Sequence, residues 1–291
     1  MTLPRLPLVG LVLLLAAAPV AGQRPVHERR AATPDGAIRI HNLSGSVRVI
    51  GWDRDTIAVQ GTAPSQGEPF ALHVSGGNAK LGIWPGSGEA QPAQLEVRVP
   101  RGSRVWIKTE SADVVVSAVT GSVDVSSVSG RIDVRGAPGE VFVESMAGPI
   151  ELEVESRVLR ARTAGADIIL RGRVSDAQVL SVSGSVTVMN KQVERGRFES
   201  VDGRVRYHGG IARGSSVEFI THSGDIDIVL MRDVNARITV SSFQGSVESL
   251  LQGKLVQSGG KGNRQYALTL GTGGADLVVR TFKGSVRLGY P

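Results

Sequence analysis

Three groups of residues in this 291-residue chain have types and spacing to be weighed for chemistry. The first is His222-Ser-Gly-Asp225-Ile-Asp227. Two carboxylates two positions apart on a strand share a face, and with a histidine beside them they could hold a cation or act as an acid–base pair. No third ligand converges on them from elsewhere, and outward strand positions facing Arg206 account for both carboxylates. The second group is Arg157, Arg160, Arg162, Arg171 and Arg173, close enough along the chain to form an anion-binding patch, although Asp167 and Asp176 interleave. The third, Gly271-Thr-Gly273-Gly274, is not followed by a helical pattern and so is no dinucleotide site. Asn42-Leu-Ser44 is a glycosylation sequon only in a eukaryotic secretory path. There is no cysteine, which removes thiolate metal sites, disulfides and a lipid-modified cysteine together. No Ser/His/Asp set has a meaningful spacing. The expectation is a non-enzyme with no catalytic residue, no metal and no cofactor, leaving the five arginines as the site to test.

The elements that must position these residues come from a repeat. From residue 109 onward the chain reads Ser or Thr, two residues, Gly or Ala, a polar residue, then alternating Val/Ile. Examples are Ser127-Val-Ser-Gly130-Arg-Ile132-Asp-Val134 and Ser181-Val-Ser-Gly184-Ser-Val186-Thr-Val188. The small residue falls at 112, 130, 148, 166, 184, 203, 224 and 245, in steps of 18, 18, 18, 18, 19, 21 and 21. A fainter series at Gly121, Gly139, Gly196 and Gly214 divides each repeat into two short strands. Period-two alternation puts Val/Ile on one face and polar residues on the other. The small residue suits a corner where a side chain would clash, and the Ser/Thr before it can bond nearby backbone.

One repeat cannot bury its own apolar face. Four inward Val/Ile contribute roughly 1.5–3 kcal/mol each, against about 1–2 kcal/mol of backbone ordering for every residue. Stacking supplies the rest. Transmembrane barrel strands need about 9–11 residues, twice what these repeats offer. The fold expected is all-β: a single-stranded parallel β-solenoid with coils of about 18–21 residues, right-handed by analogy. Stacking should set Val186, Val205, Ile226 and Val247 in one inward ladder and Thr187, Arg206, Asp227 and Glu248 in the outward one. Phe198, Val217 and Ile238 should form a third.

The ends differ. Strand candidates between 37 and 108 are longer, all three tryptophans (Trp52, Trp84, Trp106) lie there, and 62–68 and 85–92 read as loops, so this region is taken as first coils plus a cap. At the other end 251–265 interrupts the count, two more strand units follow, and Pro291 is placed at an exposed edge.

Arg5, an apolar run from Leu6 to Ala18 and small residues up to Gly22 read as a secretory signal, too short for the roughly 20 residues of a membrane anchor. The expected division is signal peptide 1–22, flexible segment 23–36 and β-solenoid domain 37–291, with no transmembrane span after cleavage. Net charge is +6, or 6 − 1 = +5 without Arg5, compatible with anionic partners. Export makes nucleic acid the least favoured of these.

His41-Asn-Leu-Ser-Gly45-Ser-Val-Arg-Val-Ile-Gly-Trp52-Asp53, Val97-Arg-Val-Pro100-Arg-Gly102 and the repeats after them resemble the DUF4097 family of adhesin-like proteins, related to the auto-transporter adhesin head domain. The likeness covers about residues 35–290. It implies a bacterial, exported, β-helical protein and carries over no catalytic residue. The function expected is that of a non-enzymatic periplasmic or cell-surface interaction protein, with an envelope glycan or another surface protein as partner. The alternative is a carbohydrate-active β-helix that binds or cleaves polysaccharide.

Overall fold

The computed structural model describes residues 22–65, 69–84, 91–260 and 264–291. The expected signal segment therefore lies outside the described residues except for Gly22, as do 66–68 and 85–90 of the two expected loops. Among the described residues the chain is all-β: 23 strands in one long, mostly parallel, unclosed sheet, with no helix.

The sheet winds so that each coil contributes a strand to two opposed faces. Face A takes Asp113–Ser117, Ile132–Gly136 and the first halves of Ile150–Thr163, Ile168–Ser181, Val186–Ser200 and Val205–Thr221. Face B takes Arg104–Lys108, Ser122–Ser127, Glu140–Ser145 and the second halves of the same four long strands. Alternate residues turn inward from both: Ile132 and Val134 from A, Val123, Val125, Val141 and Val143 from B, all buried. They join one continuous core.

The Ser/Thr-x-x-Gly corner is built as its residue types demand. The buried hydroxyls of Thr109, Ser145, Ser181 and Ser200 accept hydrogen bonds from the amides of Ala112, Gly148, Gly184 and Gly203 at 2.8–3.0 Å. A Cβ at Gly130, Gly148, Gly184, Gly203 or Gly224 would run into the carbonyl oxygen of the equivalent residue one coil earlier. Stacked corners approach too closely for a side chain.

This corner keeps its length: 181 to 186, 200 to 205 and 221 to 226 are five steps each in the strand register. The opposite corner grows, from four steps (Gly172 to Asp176) to five (Asn190 to Arg195) to seven (Gly209 to Ser216). The lengthening of the repeat is thus accommodated at one corner. There buried Asn190 accepts from the Val174 and Gln192 amides and donates to the Val174 carbonyl. The longer coils hold the buried rings of Phe198, Tyr207 and Phe219, centroids 5.2–5.7 Å apart.

All three expected ladders need correction. Val186, Val205 and Ile226 stack as expected, but Val286 comes next and Val247 after it. Outward, Arg287 likewise separates Asp227 from Glu248. Phe198 registers with Phe219, not Val217, because the two residues added to the next coil enter at its growing corner, between Gly209 and Ser216 and ahead of Val217.

At both ends the order of stacking departs from the order of the chain. Near the N-terminus, Ala37–His41 lies between Asn78–Gly82 and Arg104–Lys108 on face B. On face A, Gly45–Trp52 lies between Ala93–Pro100 and Asp113–Ser117. The first coil is therefore inside the second. Near the C-terminus, Asp276–Thr281 is inserted between Val205–Thr221 and Ala236–Ser242, and Val286–Gly289 between Ile226–Leu230 and Val247–Ser249. The last coil is inside the one before it, so Pro291, though exposed, terminates an interior coil and not the edge of the rod.

The outermost coils are closed by antiparallel strands. Thr56–Pro64 pairs with Ala93–Pro100, and Ala71–Ser75 with Asn78–Gly82. Arg264–Leu270 pairs with Ala236–Ser242, and Val256–Ser258 with it in turn. Gln23–Ala31 adds to Thr56–Pro64 over all nine residues, so the expected flexibility of 23–36 does not hold for 23–31; the expected loop likewise begins only after Pro64. Only Val26 of Gln23–Ala31 is buried, which hides the strand in a polar sequence. Such caps occupy edges that would otherwise template further pairing.

Candidate functional site

The outer surface of face B carries two side-chain rows that cross successive strands in register. One runs Lys80, Arg39, Trp106, Asp124, Phe142, Arg160, Gln178; the other runs His41, Lys108, Ser126, Glu144, Arg162, Leu180. Between them lie two adjoining hollows. The first, about 360 Å³, is lined by Arg39, His41, Lys80, Trp84, Trp106 and Lys108. The second, about 540 Å³, is lined by Phe142, Glu144, Arg160, Arg162, Gln178 and Leu180. Asp124 and Ser126 line both, so the hollows form one trough. Seven strands about 4.8 Å apart give it a length of about 29 Å.

The trough is aromatic and mostly cationic at one end. Lys80 lies 4.7 Å from the Trp84 ring centre and Arg39 5.6 Å from that of Trp106, within cation–π range. His41 stacks on Trp84 at 6.1 Å and its Nδ1 is 3.1 Å from the Ile83 carbonyl oxygen. Arg39, Lys80 and Lys108 have no carboxylate partner among the described residues. Further along, Arg162 binds Glu144 at 2.7 Å and Arg160 binds Asp176 at 2.8 Å. Partial burial holds the Asp124 carboxyl above the usual range, and nearby Glu144 adds to the shift; a hydrogen bond from the Trp106 indole opposes both.

The five arginines do not converge. Arg160 and Arg162 enter the trough; Arg171 stands on face A, across a Ser/Thr-x-x-Gly corner, and Arg173 lies in the growing corner between Gly172 and Asp176. Arg157 pairs with Glu140 and Arg171 with Glu151. The His222 group is likewise spoken for. Asp225 accepts from the Ser285 amide at 2.9 Å and from Arg204 at 3.1 Å, and these bonds hold its pKa below the usual carboxylate value against the opposing effect of burial. Asp227 lies 3.6 Å from Arg204, and His222 stacks on Phe282 at 5.0 Å. Asp113 and Asp167 accept from Arg131 and Ser185 amides in the same way, so Asp225 is a coil-to-coil tie. Among the described residues no three His, Cys, Asp or Glu side chains gather as a metal site.

The trough leaves a signal in the sequence outside the corner motif. Positions 106, 124, 142, 160 and 178 follow the 18-residue step and read Trp, Asp, Phe, Arg, Gln. The third tryptophan is different: Trp52 is surrounded by the guanidinium groups of Arg29, Arg54 and Arg98 at 5.1–6.0 Å. A second exposed feature runs along the constant corner, where Val128, Met146, Val182, Val201, Phe282 and Phe243 form an apolar ridge. Phe282 and Phe243 stack at 4.6 Å.

No helix among the described residues is long and apolar enough to cross a membrane. No curated protein sequence matches the chain. Among solved structures, a "putative adhesin" from Bacteroides fragilis is similar at 9% identity, covering 91% of this chain and 96% of its own, with a TM-score of 0.48. A "putative lipid binding protein" from Parabacteroides distasonis is similar at 13% identity over 91% and 96%, with a TM-score of 0.45. A second P. distasonis structure, again a "putative adhesin", matches at 11% identity over 71% and 94%, with a TM-score of 0.38. The description that spans the chain is that of Toastrack DUF4097, matched over residues 30–288, and the protein belongs to that family.

Proposed function

We propose that this protein is an exported, non-enzymatic interaction module of the periplasm or cell surface, removed from its signal segment after residue 22, and that its working surface is the trough on face B. The observation that carries this reading is the continuity of the trough. Half-buried and exposed rings at Trp84, Trp106 and Phe142 alternate with charged and hydroxyl groups across seven strands, a surface suited to one extended chain. Concave sites that pair apolar contact with a few placed polar groups are where ligands bind.

Hydrolysis of a bound glycan is the competing reading. It needs one carboxylic acid and one free carboxylate flanking the bond. Asp124 has the raised pKa of an acid, but Glu144 is held by Arg162, which argues for binding without cleavage.

The test is binding of the purified protein to an array of glycans and envelope polymers at low and high salt, beside Trp106→Ala and Phe142→Ala. Selective binding that survives high salt and weakens in both variants is the expected result. Unchanged binding in both would move the working surface elsewhere, and shortened glycan products would replace the non-enzymatic reading with the other.

A further inference from the structure

We infer that the ligand of the trough is an acidic polysaccharide in which charged and neutral sugars alternate, with an acid group seated at the Trp84–Trp106 end. This rests on the trough being the working surface and adds to it the chemistry of what lies there.

The charge of the trough comes first. Its lining holds five cations (Arg39, Lys80, Lys108, Arg160, Arg162) against two carboxylates, Asp124 and Glu144. Two of the five are ion-paired, to Asp176 and to Glu144. The other three crowd the tryptophan end, with Arg39 and Lys80 lying against indole rings. Unpaired cations beside apolar rings fit a ligand that brings both a flat apolar face and an anion. A sugar acid does: its ring can stack on Trp106 or Trp84 while its carboxylate or sulfate meets Lys80, Lys108 or Arg39.

The middle of the trough narrows the class. Asp124 and Ser126 line both hollows, and the Glu144 carboxylate stands on the strand beside Ser126, so both carboxylates of the lining fall in this stretch. A uniform polyanion would be repelled there. A neutral residue would not, because its hydroxyls can donate to Asp124 and Ser126. A section of unpaired cations is thus followed by one that favours a neutral sugar, and the far end carries Arg160 and Arg162, each held by a carboxylate.

The shape separates this ligand from two other anionic partners. Two rows two residues apart on each strand stand about 6.6 Å from one another, room for one chain and not for a membrane plane. Nucleic acid would carry a phosphate on every residue past Asp124 and Glu144, the two carboxylates of the lining.

The experiment is titration of the purified full-length protein with hyaluronan oligosaccharides, dextran oligosaccharides, a single-stranded oligonucleotide and anionic phospholipid vesicles. Hyaluronan is expected to bind at least tenfold more tightly than dextran. Lys80→Gln combined with Lys108→Gln should weaken hyaluronan about tenfold or more and leave dextran unchanged; both lysines are exposed, so the variant keeps its fold. Phe142→Ala, also at an exposed position, should weaken both sugars. Equal binding of the two glycans, both lost in Phe142→Ala, would overturn the acidic ligand and leave the trough as the working surface. Binding of neither glycan would overturn both readings. Tighter binding of oligonucleotide or vesicles, sensitive to the lysine pair, would replace the polysaccharide with that partner.

Discussion

The middle of the rod and its two ends are built from the same coil but assembled by different rules. Between residues 104 and 221 each coil stacks on the one before it in the chain. At each end the terminal coil is tucked one place inward and the neighbouring coil closes over it. The corner motif explains why this is allowed. Gly284 meets the carbonyl of Gly224 and Gly245 meets that of Gly284, the same approach that Gly203 makes to Gly184. The motif shapes a coil without naming its neighbour, so stacking order is left to the contacts particular to each coil. For the last coil these are Thr221 to Thr281 at 3.0 Å, Ser285 to Asp225, and the pairing of Arg280 with Glu218. A terminal coil held on both sides cannot peel away, whereas a coil at the tip of a sequential stack can.

The largest effect should come from breaking that arrangement. Removing residues 272–291 takes a coil from inside the stack and leaves two others facing an empty slot. Hydrogen exchange should then show lost protection in both Ile226–Leu230 and Ala236–Ser242, which flank the deleted strands. Were the last coil at the tip, Ile226–Leu230 would remain protected. Full protection in that strand after truncation would mean that the flanking coils close on each other.

The same contrast explains what could be read in the residues alone. Coils from 109 to 221 were legible because their corner repeats at a fixed length and each strand alternates. Counting back from Ser200 and Thr221 also pairs Phe198 with Phe219; counting forward from Gly196 and Gly214 does not, since the growing corner lies between them and the previous face. The inward tucking of the terminal coils left no trace in spacing, because Gly245 follows Gly224 by the same 21 residues as Gly224 follows Gly203. The row Trp106, Asp124, Phe142, Arg160 was legible at 18-residue steps, but Lys80 and Arg39 join it only through the out-of-order first coil. The five arginines looked clustered because proximity along the chain says nothing about which side of a corner a residue occupies.

Core and face should differ next. Phe219→Ala removes a fully buried ring from the Phe198–Tyr207–Phe219 cluster and should cost about 3–5 kcal/mol by denaturant unfolding. Phe142→Ala, on the trough, should change stability by less than about 0.5 kcal/mol. A large loss at Phe142 would make its ring part of the fold and weaken its assignment to binding.

A smaller difference is expected within one corner. Ser181 is buried and its Oγ accepts from the Gly184 amide at 3.0 Å, so Ser181→Ala should cost about 1–3 kcal/mol by leaving that amide unpaired. Ser183, exposed two residues on, donates to the Ala164 carbonyl at 3.2 Å, and its replacement by alanine should change stability by less than about 0.5 kcal/mol. Equal costs would mean that the corner is held by backbone contacts between coils rather than by its hydroxyl.

The smallest effect, and the one that separates fold from site most directly, is the response of two aspartates to acid. Burial works against the Asp176 carboxylate, but hydrogen bonds from Arg160 and Arg195 outweigh it and set its pKa below the ordinary value. Its contribution to stability is therefore complete above the unfolded value of about 3.9 and is lost as pH falls through the lower native value. Asp176→Asn should be less stable than the parent at neutral pH and converge with it in acid. Asp124 has the opposite sign. Burial and Glu144 raise its pKa, so its ionised form opposes folding above the raised value, and that opposition is relieved as pH falls through it. Asp124→Asn should be slightly more stable than the parent at neutral pH, with the difference shrinking on acidification. The check is a pair of denaturation series between pH 7 and 3. Curves of the same sign for both variants would mean that Asp124 supports the fold as Asp176 does. Opposite signs would place Asp124 among residues kept at a cost to stability, as expected of a group retained to meet a ligand.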